Sequence, residues 1–135
     1  MPSPPHTDAR IGTLFGSFRI VRKLGEGGMG VVYEAQHQKI GRRVAVKLVH
    51  PKFANDEEYA RRFLNEARAV NVIRHRGLVE IFDFGKLPDG TLYYVMELLE
   101  GSSLARRISD RRVPFKPDEV VDIAIQLARA LAQLP

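Results

Sequence analysis

The chain has 135 residues, of which 44% are hydrophobic, 27% are charged and none is cysteine. This length and composition are typical of one globular domain and exclude a disordered or fibrous chain. The absence of cysteine excludes disulfide frameworks, thiolate metal sites and cysteine nucleophiles. No segment has the basic and apolar regions of a signal peptide, and no apolar run approaches the roughly 18 residues of a bilayer span. We therefore expect a soluble, cytoplasmic chain.

The net charge is +5, from 21 Lys and Arg against 16 Asp and Glu. Residues 1–47 hold eight of the basic residues and only three of the acidic ones. An electropositive first third suits a ligand that carries phosphate. Nucleic acid is the other partner that positive charge favours, but the chain has neither a basic stripe interleaved with aromatic residues nor a recognition helix. We therefore predict no nucleic-acid partner.

The first half of the chain alternates between strand patterns and turns. Residues 1–17 are rich in proline and polar side chains, which predicts a disordered leader. Strands are predicted over residues 18–24, 30–37 and 43–49, because apolar and β-branched residues alternate there with polar ones.

A helix follows, for which Asn55 and Asp56 offer an N-cap. Apolar residues recur at spacings of three and four from Tyr59 to Ile73, and Gly77 is expected to end the helix. Two more strands are predicted over residues 78–84 and 91–98. A short helix from Leu104 to about residue 111 and a longer one from Pro117 complete the chain.

The order of these elements predicts the fold class. Short links between the first three strands favour antiparallel pairing, so we expect an α+β fold rather than a doubly wound parallel sheet. The predicted sheet has five antiparallel strands. It occupies residues 18–101, and residues 102–135 form a separate helical part.

The run Gly25-Glu26-Gly27-Gly28-Met29-Gly30 matches G-x-G-x-x-G. A Rossmann fingerprint requires a helix directly afterwards, and a Walker loop requires Lys-Ser or Lys-Thr, whereas Val31-Val32 follows here. The third possibility is a hairpin whose backbone amides fold over the phosphates of a nucleotide. That device predicts a valine at position 32 and a Val-Ala-x-Lys strand downstream, and Val44-Ala45-Val46-Lys47 satisfies the second condition.

Lys47 can supply a point charge for phosphate oxygens. Glu66 borders the apolar face of the predicted helix, where it can reach the sheet. We predict an ion pair between Lys47 and Glu66 that holds the lysine toward the phosphates. The alternative is that both are solvated surface residues.

Together with residues 63–68 and 94–101, these motifs resemble the N-terminal lobe of bacterial Hanks-type (eukaryotic-like) Ser/Thr protein kinases, from Phe18 to the end of the chain. The resemblance implies a kinase N-lobe with one αC-type helix, followed by two helices of an incomplete C-lobe. It implies ATP as ligand and transfer of its γ-phosphoryl group to Ser or Thr hydroxyls of a protein substrate, with Lys47 and Glu66 as catalytic residues.

The resemblance also assigns the contacts to ATP. Leu24, Val32 and Ala45 would enclose the adenine, and Met96 would be the gatekeeper as well as a core residue. The Glu97 carbonyl and the Leu99 amide would pair with the adenine edge from the hinge segment, residues 97–101. The loop over the phosphates would comprise Gly25, Glu26, Gly27, Gly28, Met29 and Gly30.

In this family the catalytic aspartate and the Mg²⁺ ligands lie beyond the last helix seen here. We therefore predict no metal ligand in this chain and expect the truncated chain to lack phosphotransfer activity. Asp83-Phe84-Gly85 and His75-Arg76-Gly77 imitate two kinase motifs, but they precede the hinge segment and are interpreted as structural. We expect the last helix to expose an apolar face and to promote self-association. The alternative function is a non-catalytic pseudokinase fragment that binds nucleotide or a partner.

Overall fold

The computed structural model describes residues 8–27, 30–49, 53, 56–110 and 112–134. Within these ranges the chain forms six strands and three helices. In chain order they are β1 (Leu14–Phe15), β2 (Phe18–Glu26), β3 (Gly30–His37), β4 (Arg43–Val49), α1 (Glu57–Ile73), β5 (Ile81–Lys86), β6 (Leu92–Met96), α2 (Leu104–Ser109) and α3 (Pro117–Leu131).

The six described strands form one sheet in the order β1-β2-β3-β4-β6-β5, and all neighbours are antiparallel. Because α1 is inserted between β4 and β5, the chain returns with β6, not β5, beside β4. The expected α+β class with an antiparallel sheet is confirmed. The sheet has one strand more than predicted, and β5 and β6 differ by several residues from the expected 78–84 and 91–98.

The additional strand comes from the segment that was expected to be a disordered leader. Leu14 and Phe15 form β1, which pairs with the start of β2, and Phe15 is buried against the ring of Tyr93. The expectation is therefore wrong for residues 8–17. The polar composition of this segment obscures one aromatic residue, Phe15, whose burial outweighs the cost of ordering a short strand. Residues 1–7 lie outside the described ranges.

The alternation of side chains along the strands gives the sheet two different faces. One face carries a core in which the following residues are buried: Phe15, Ile20, Tyr33, Ala35, Val44, Val46, Leu48 and Val95. The opposite face carries Val49 and Leu92, and α1 packs there through Phe63. This second face also carries Val32, Ala45 and Lys47 by the same alternation, so α1 and the predicted site share one side of the sheet.

Helix α1 begins as the sequence predicts and ends earlier. The side chain of Asp56 accepts a hydrogen bond from the Tyr59 amide, while Asn55 lies outside the described residues. The helix ends at Ile73 because Arg74 adopts a left-handed conformation (φ 44°), which is uncommon for a residue other than glycine. The prediction that Gly77 ends the helix is therefore wrong.

Helices α2 and α3 differ in how they are capped and in how much of each is buried. Ser103 caps α2, which ends at Ser109, two residues before the predicted end. Helix α3 begins at Pro117 as predicted, and Ala130 is its one buried residue. Val120, Leu127 and Leu131 are half or more exposed, as the sequence led us to expect. No helix in the described part of the chain has the length and apolar character required to span a bilayer.

Candidate functional site

The glycine-rich turn joins β2 to β3, and its glycines differ in what the fold requires of them. A Cβ atom on Gly30 would lie 1.9 Å from the backbone oxygen of Leu48, so the packing of β3 on β4 requires glycine there. A Cβ on Gly25 or Gly27 would meet nothing within 4 Å, and neither residue has a positive φ. The fold therefore does not require glycine at positions 25 and 27, and the space beside them is open.

The turn itself is closed by a hydrogen bond that the Gly27 amide donates to the Gly30 carbonyl at 2.9 Å. Glu26 forms an ion pair with Lys23 along β2. Both contacts lie at the base of the turn. The two other predicted loop residues, Gly28 and Met29, lie outside the described residues.

Cross-strand pairing brings five of the predicted site residues together in two adjacent rows. In the first row, Gly25 lies opposite Val32, Val32 opposite Lys47, and Lys47 opposite Tyr94. In the second row, Ala45 lies opposite Met96. Residues that are distant in sequence thus form one continuous surface: glycine turn, lysine, small residue and gatekeeper position.

The structure does not bring Lys47 and Glu66 together. No ion pair joins them among the described residues, where the Lys47 ammonium lies 5.9 Å from the centre of the Tyr94 ring. Glu66 is exposed on α1, and the following residue, Ala67, is buried. The predicted Lys47–Glu66 ion pair is therefore absent from this conformation.

The aromatic packing of α1 explains this difference. Phe63, one turn before Glu66, contacts the ring of Tyr94 at 4.7 Å and that of Phe84 at 5.6 Å between centroids. Because Tyr94 is the cross-strand neighbour of Lys47, the space beside the lysine is occupied by a ring that α1 packs upon. The Glu66 charge acts on Tyr59, whose pKa is raised by burial and, to a smaller extent, by that carboxylate.

The predicted adenine contacts at the open side of the site are exposed. Leu24 is 40% exposed and Leu99 is 64% exposed. The hinge segment is fixed to β5 by the Glu97 amide, which donates to the Glu80 carbonyl at 2.9 Å, and by the Glu97 carboxylate, which accepts from the Glu80 amide at 3.4 Å. The candidate site is therefore an open surface that the sheet covers on one side.

One set of charged residues beside the site was missed from the sequence. The buried Glu34 lies opposite Ala45, in the second row of the site. Its carboxylate accepts hydrogen bonds from Arg43 at 2.6 Å and from Arg22 at 3.4 Å. These bonds, chiefly that from Arg43, lower the pKa of Glu34 although burial opposes the shift. The available signal was strand alternation, which puts Glu34 on the same face as Val32.

The two look-alike motifs have structural roles. Phe84 packs on Phe63, and Asp83 accepts a hydrogen bond from the Phe84 amide. A Cβ on Gly85 would lie 2.4 Å from the Tyr93 hydroxyl, so an aromatic ring requires that glycine. In the other motif, His75 Nδ1 accepts a hydrogen bond from the Gly77 amide at 2.9 Å.

The residues present fit a nucleotide better than they fit its metal ion. The open glycines, the lysine and the small residue at position 45 form a surface that can take a base and phosphates. No group of three His, Asp or Glu side chains within the described ranges is arranged to hold a metal ion.

Comparison with known proteins identifies the class to which this fold and site belong. Residues 18–134 match the family model of the protein kinase domain, and the chain belongs to this family. The chain is 43% identical over 124 residues to the serine/threonine-protein kinase Pkn1 of Myxococcus xanthus, and 38% identical over 117 residues to PrkC of Bacillus subtilis. These alignments cover 92% and 87% of the chain but only 17% and 18% of the two relatives.

Solved structures agree with the sequence comparison. The kinase domain of PknI from Mycobacterium tuberculosis superimposes with a TM-score of 0.78 at 30% identity. The match covers 94% of this chain and 51% of the PknI chain. The resemblance to bacterial Hanks-type kinases is thereby confirmed, and the chain spans about half of a solved kinase domain.

Proposed function

We propose that this chain is the ATP-binding part of a Ser/Thr protein kinase that transfers the ATP γ-phosphoryl group to Ser or Thr hydroxyls of a protein substrate. The observation that carries the proposal is the surface formed by the two cross-strand rows, with Lys47 between the glycine turn and the Ala45–Met96 pair. The relatives named as serine/threonine-protein kinases support the same reaction class.

Each residue type suits its proposed contact. Gly25 and Gly27 leave space for phosphate oxygens to approach the backbone. Lys47 supplies a positive charge to those oxygens. Ala45 is small enough for a flat base to lie against the sheet, with Leu24 and Val32 as apolar neighbours and the hinge segment offering backbone groups to its edge.

We further propose that the chain alone binds ATP without transferring phosphate. In the kinase family, phosphoryl transfer requires an aspartate that orients the substrate hydroxyl and side chains that hold Mg²⁺. The residues assigned here contribute binding and positioning only, and Asp83, the one acidic residue in the two look-alike motifs, accepts a hydrogen bond from the Phe84 amide within β5.

A second candidate function is a non-catalytic module that binds nucleotide or a protein partner. The observation that favours it is the position of Lys47 over Tyr94, with Glu66 exposed on α1. In this conformation the lysine is not held by a carboxylate, so a binding role is compatible with the site while the proposed catalytic pairing is not made.

Titration of the chain with Mg²⁺·ATP, followed by calorimetry, tests the proposal. We expect saturable binding that Lys47→Met weakens by at least about tenfold, and no incorporation of labelled γ-phosphate into the chain or into an added protein substrate. Absence of ATP binding would contradict the first candidate and the nucleotide-binding form of the second. Mg²⁺-dependent turnover that Lys47→Met removes would contradict the proposed inactivity of the isolated chain.

A further inference from the structure

A chain of charged side chains runs from the interior of the sheet to the hinge segment. Arg43 donates through one terminal nitrogen to the Glu34 carboxylate at 2.6 Å and through the other to the Glu100 carboxylate at 3.1 Å. The side chain of Glu34 is 6% exposed and that of Glu100 is 76% exposed. One guanidinium thus joins a buried carboxylate on β3 to a solvent-exposed one in the hinge segment.

The position of this bridge relates it to the site. Glu34 lies opposite Ala45, and Ala45 lies opposite Met96, so the buried carboxylate is in the same cross-strand row as the proposed adenine contacts. Glu100 follows Leu99, whose amide is the proposed contact to the adenine edge. The bridge therefore connects the sheet, which forms one side of the candidate site, with the hinge segment, which lies at one end of that site.

The two ends of the bridge differ in what they contribute. The buried end fixes the guanidinium, since a buried carboxylate requires a partner and Arg43 is the nearer of its two. The exposed end contributes little to stability, because water screens an exposed ion pair. Its consequence is geometric: the planar guanidinium fixes the place of Glu100, and through it that of the adjoining hinge backbone.

We propose that Arg43 is a positioning residue for nucleotide binding, which holds the hinge segment at the correct distance from the sheet through Glu100 while Glu34 anchors it. This inference rests on the proposed function, because it assumes that a nucleotide base binds between the sheet and the hinge segment. It adds Arg43, Glu34 and Glu100 to the residues that determine how tightly the base is held.

The test compares four variants of the full chain by their dissociation constants for Mg²⁺·ATP and by thermal unfolding without ligand. Glu100→Gln removes the exposed contact only, and Arg43→Lys keeps the charge but loses the fork that spans both carboxylates. Arg22→Met is the matched control, because Arg22 contacts the same Glu34 carboxylate and is not paired with Glu100. Glu58→Gln removes an exposed ion pair on α1, remote from the hinge segment.

We expect Glu100→Gln and Arg43→Lys to weaken ATP binding by about two- to fivefold, the range that an exposed charge pair provides. The two controls should leave the dissociation constant unchanged, and Glu100→Gln should leave the unfolding temperature unchanged. The double variant that combines Arg43→Lys with Glu100→Gln should bind ATP as weakly as each of these single variants does. Raising the salt concentration to about 1 M should abolish the difference between Glu100→Gln and the native chain, since the exposed pair is then screened.

The outcomes separate the inference from the function on which it rests. If the native chain does not bind ATP, the proposed function fails and this inference fails with it. If the native chain binds ATP and Glu100→Gln binds equally well, only the positioning role of Arg43 is overturned. If Arg22→Met weakens ATP binding as much as Arg43→Lys does, the Glu34 carboxylate affects binding only by stabilising the sheet. That result would refute a positioning role for the bridge to the hinge segment.

Discussion

Lys47 and Tyr94 lie opposite each other on β4 and β6, and the lysine ammonium is 5.9 Å from the centre of the tyrosine ring. The same ring packs on Phe63 of α1. The lysine is therefore held by a weak cation–π contact, worth about 0.5–1 kcal/mol at a partly exposed site. Among the described residues Lys47 therefore has an aromatic partner, and no acidic one, on the face of the sheet that carries the candidate site.

The first prediction concerns Lys47 itself. Lys47→Met should reduce affinity for ATP by at least about tenfold, since a hydrogen bond to a charged group is worth about 1.5–3 kcal/mol. The unfolding temperature without ligand should change little, because the cation–π contact is the one interaction lost. Calorimetric titration and thermal unfolding measure the two effects. Lys86→Met, at the end of β5, is the control; equal loss of binding in both variants would contradict the assignment.

The second prediction separates the glycines of the turn. Gly30→Ala should destabilise the chain by about 1–3 kcal/mol or more, the cost of overpacking, because its Cβ would collide with the Leu48 carbonyl. Gly27→Ala should leave stability unchanged or slightly raised, because the position is open and unstrained. The same Gly27→Ala should weaken ATP binding. Denaturant unfolding and ATP titration of both variants check this, and a stable Gly30→Ala chain would refute the steric argument.

The third prediction concerns acid stability. The pKa of Glu34 is lowered from its ordinary value of 4.5, so the folded chain holds the ionised carboxylate more strongly than the unfolded chain does. Its contribution to stability is present above pH 4.5 and is lost as the pH falls through the lower folded pKa. Glu34→Gln should therefore flatten the dependence of unfolding free energy on pH below about pH 5. An unchanged slope would contradict this, and Glu58→Gln, on the exposed face of α1, is the control.

The fourth prediction concerns the contact between the loop after α1 and helix α3. A Cβ on Gly77 would lie 2.8 Å from the Cβ of Ala130, the one buried residue of α3. Gly77→Ala should therefore increase amide hydrogen exchange in residues 117–131 more than in α1. The double variant Gly77→Ala with Ala130→Gly should restore close contact, although glycine within a helix costs about 1 kcal/mol. Equal exchange in the native and Gly77→Ala chains would show that this contact does not hold α3.

The fifth prediction concerns the exposed apolar face of α3. Leu127 is 50% exposed and Leu131 is 63% exposed. Val120, on the same helix, is also exposed. We expect concentration-dependent self-association of the chain in sedimentation experiments, since apolar area is buried when such faces meet. Leu131→Lys should reduce it. Ile40→Lys, an exposed apolar residue in the turn between β3 and β4, is the control and should leave association unchanged.

The sequence allowed the fold class to be predicted from strand alternation and short links, and candidate site residues to be named from the spacing between the glycines, Val32 and Lys47. The sequence predicted a Lys47–Glu66 pair that this conformation lacks. Its absence could not be predicted, since the pair depends on where α1 packs, and Phe63 packs on aromatic residues of two strands that are distant in sequence. The bridge through Arg43 was missed for a similar reason. Its three residues are brought together only by strand order.

The short strand β1 has a consequence for where this domain can be cut. The kinase family match begins at residue 18, yet Phe15 is buried in the core and β1 covers the start of β2. A chain that starts at Phe18 would expose an unpaired stretch of β2 backbone and leave a void beside Tyr93. Such an open edge is a template for pairing between molecules. The physical boundary of the domain therefore lies before the boundary that the family model assigns.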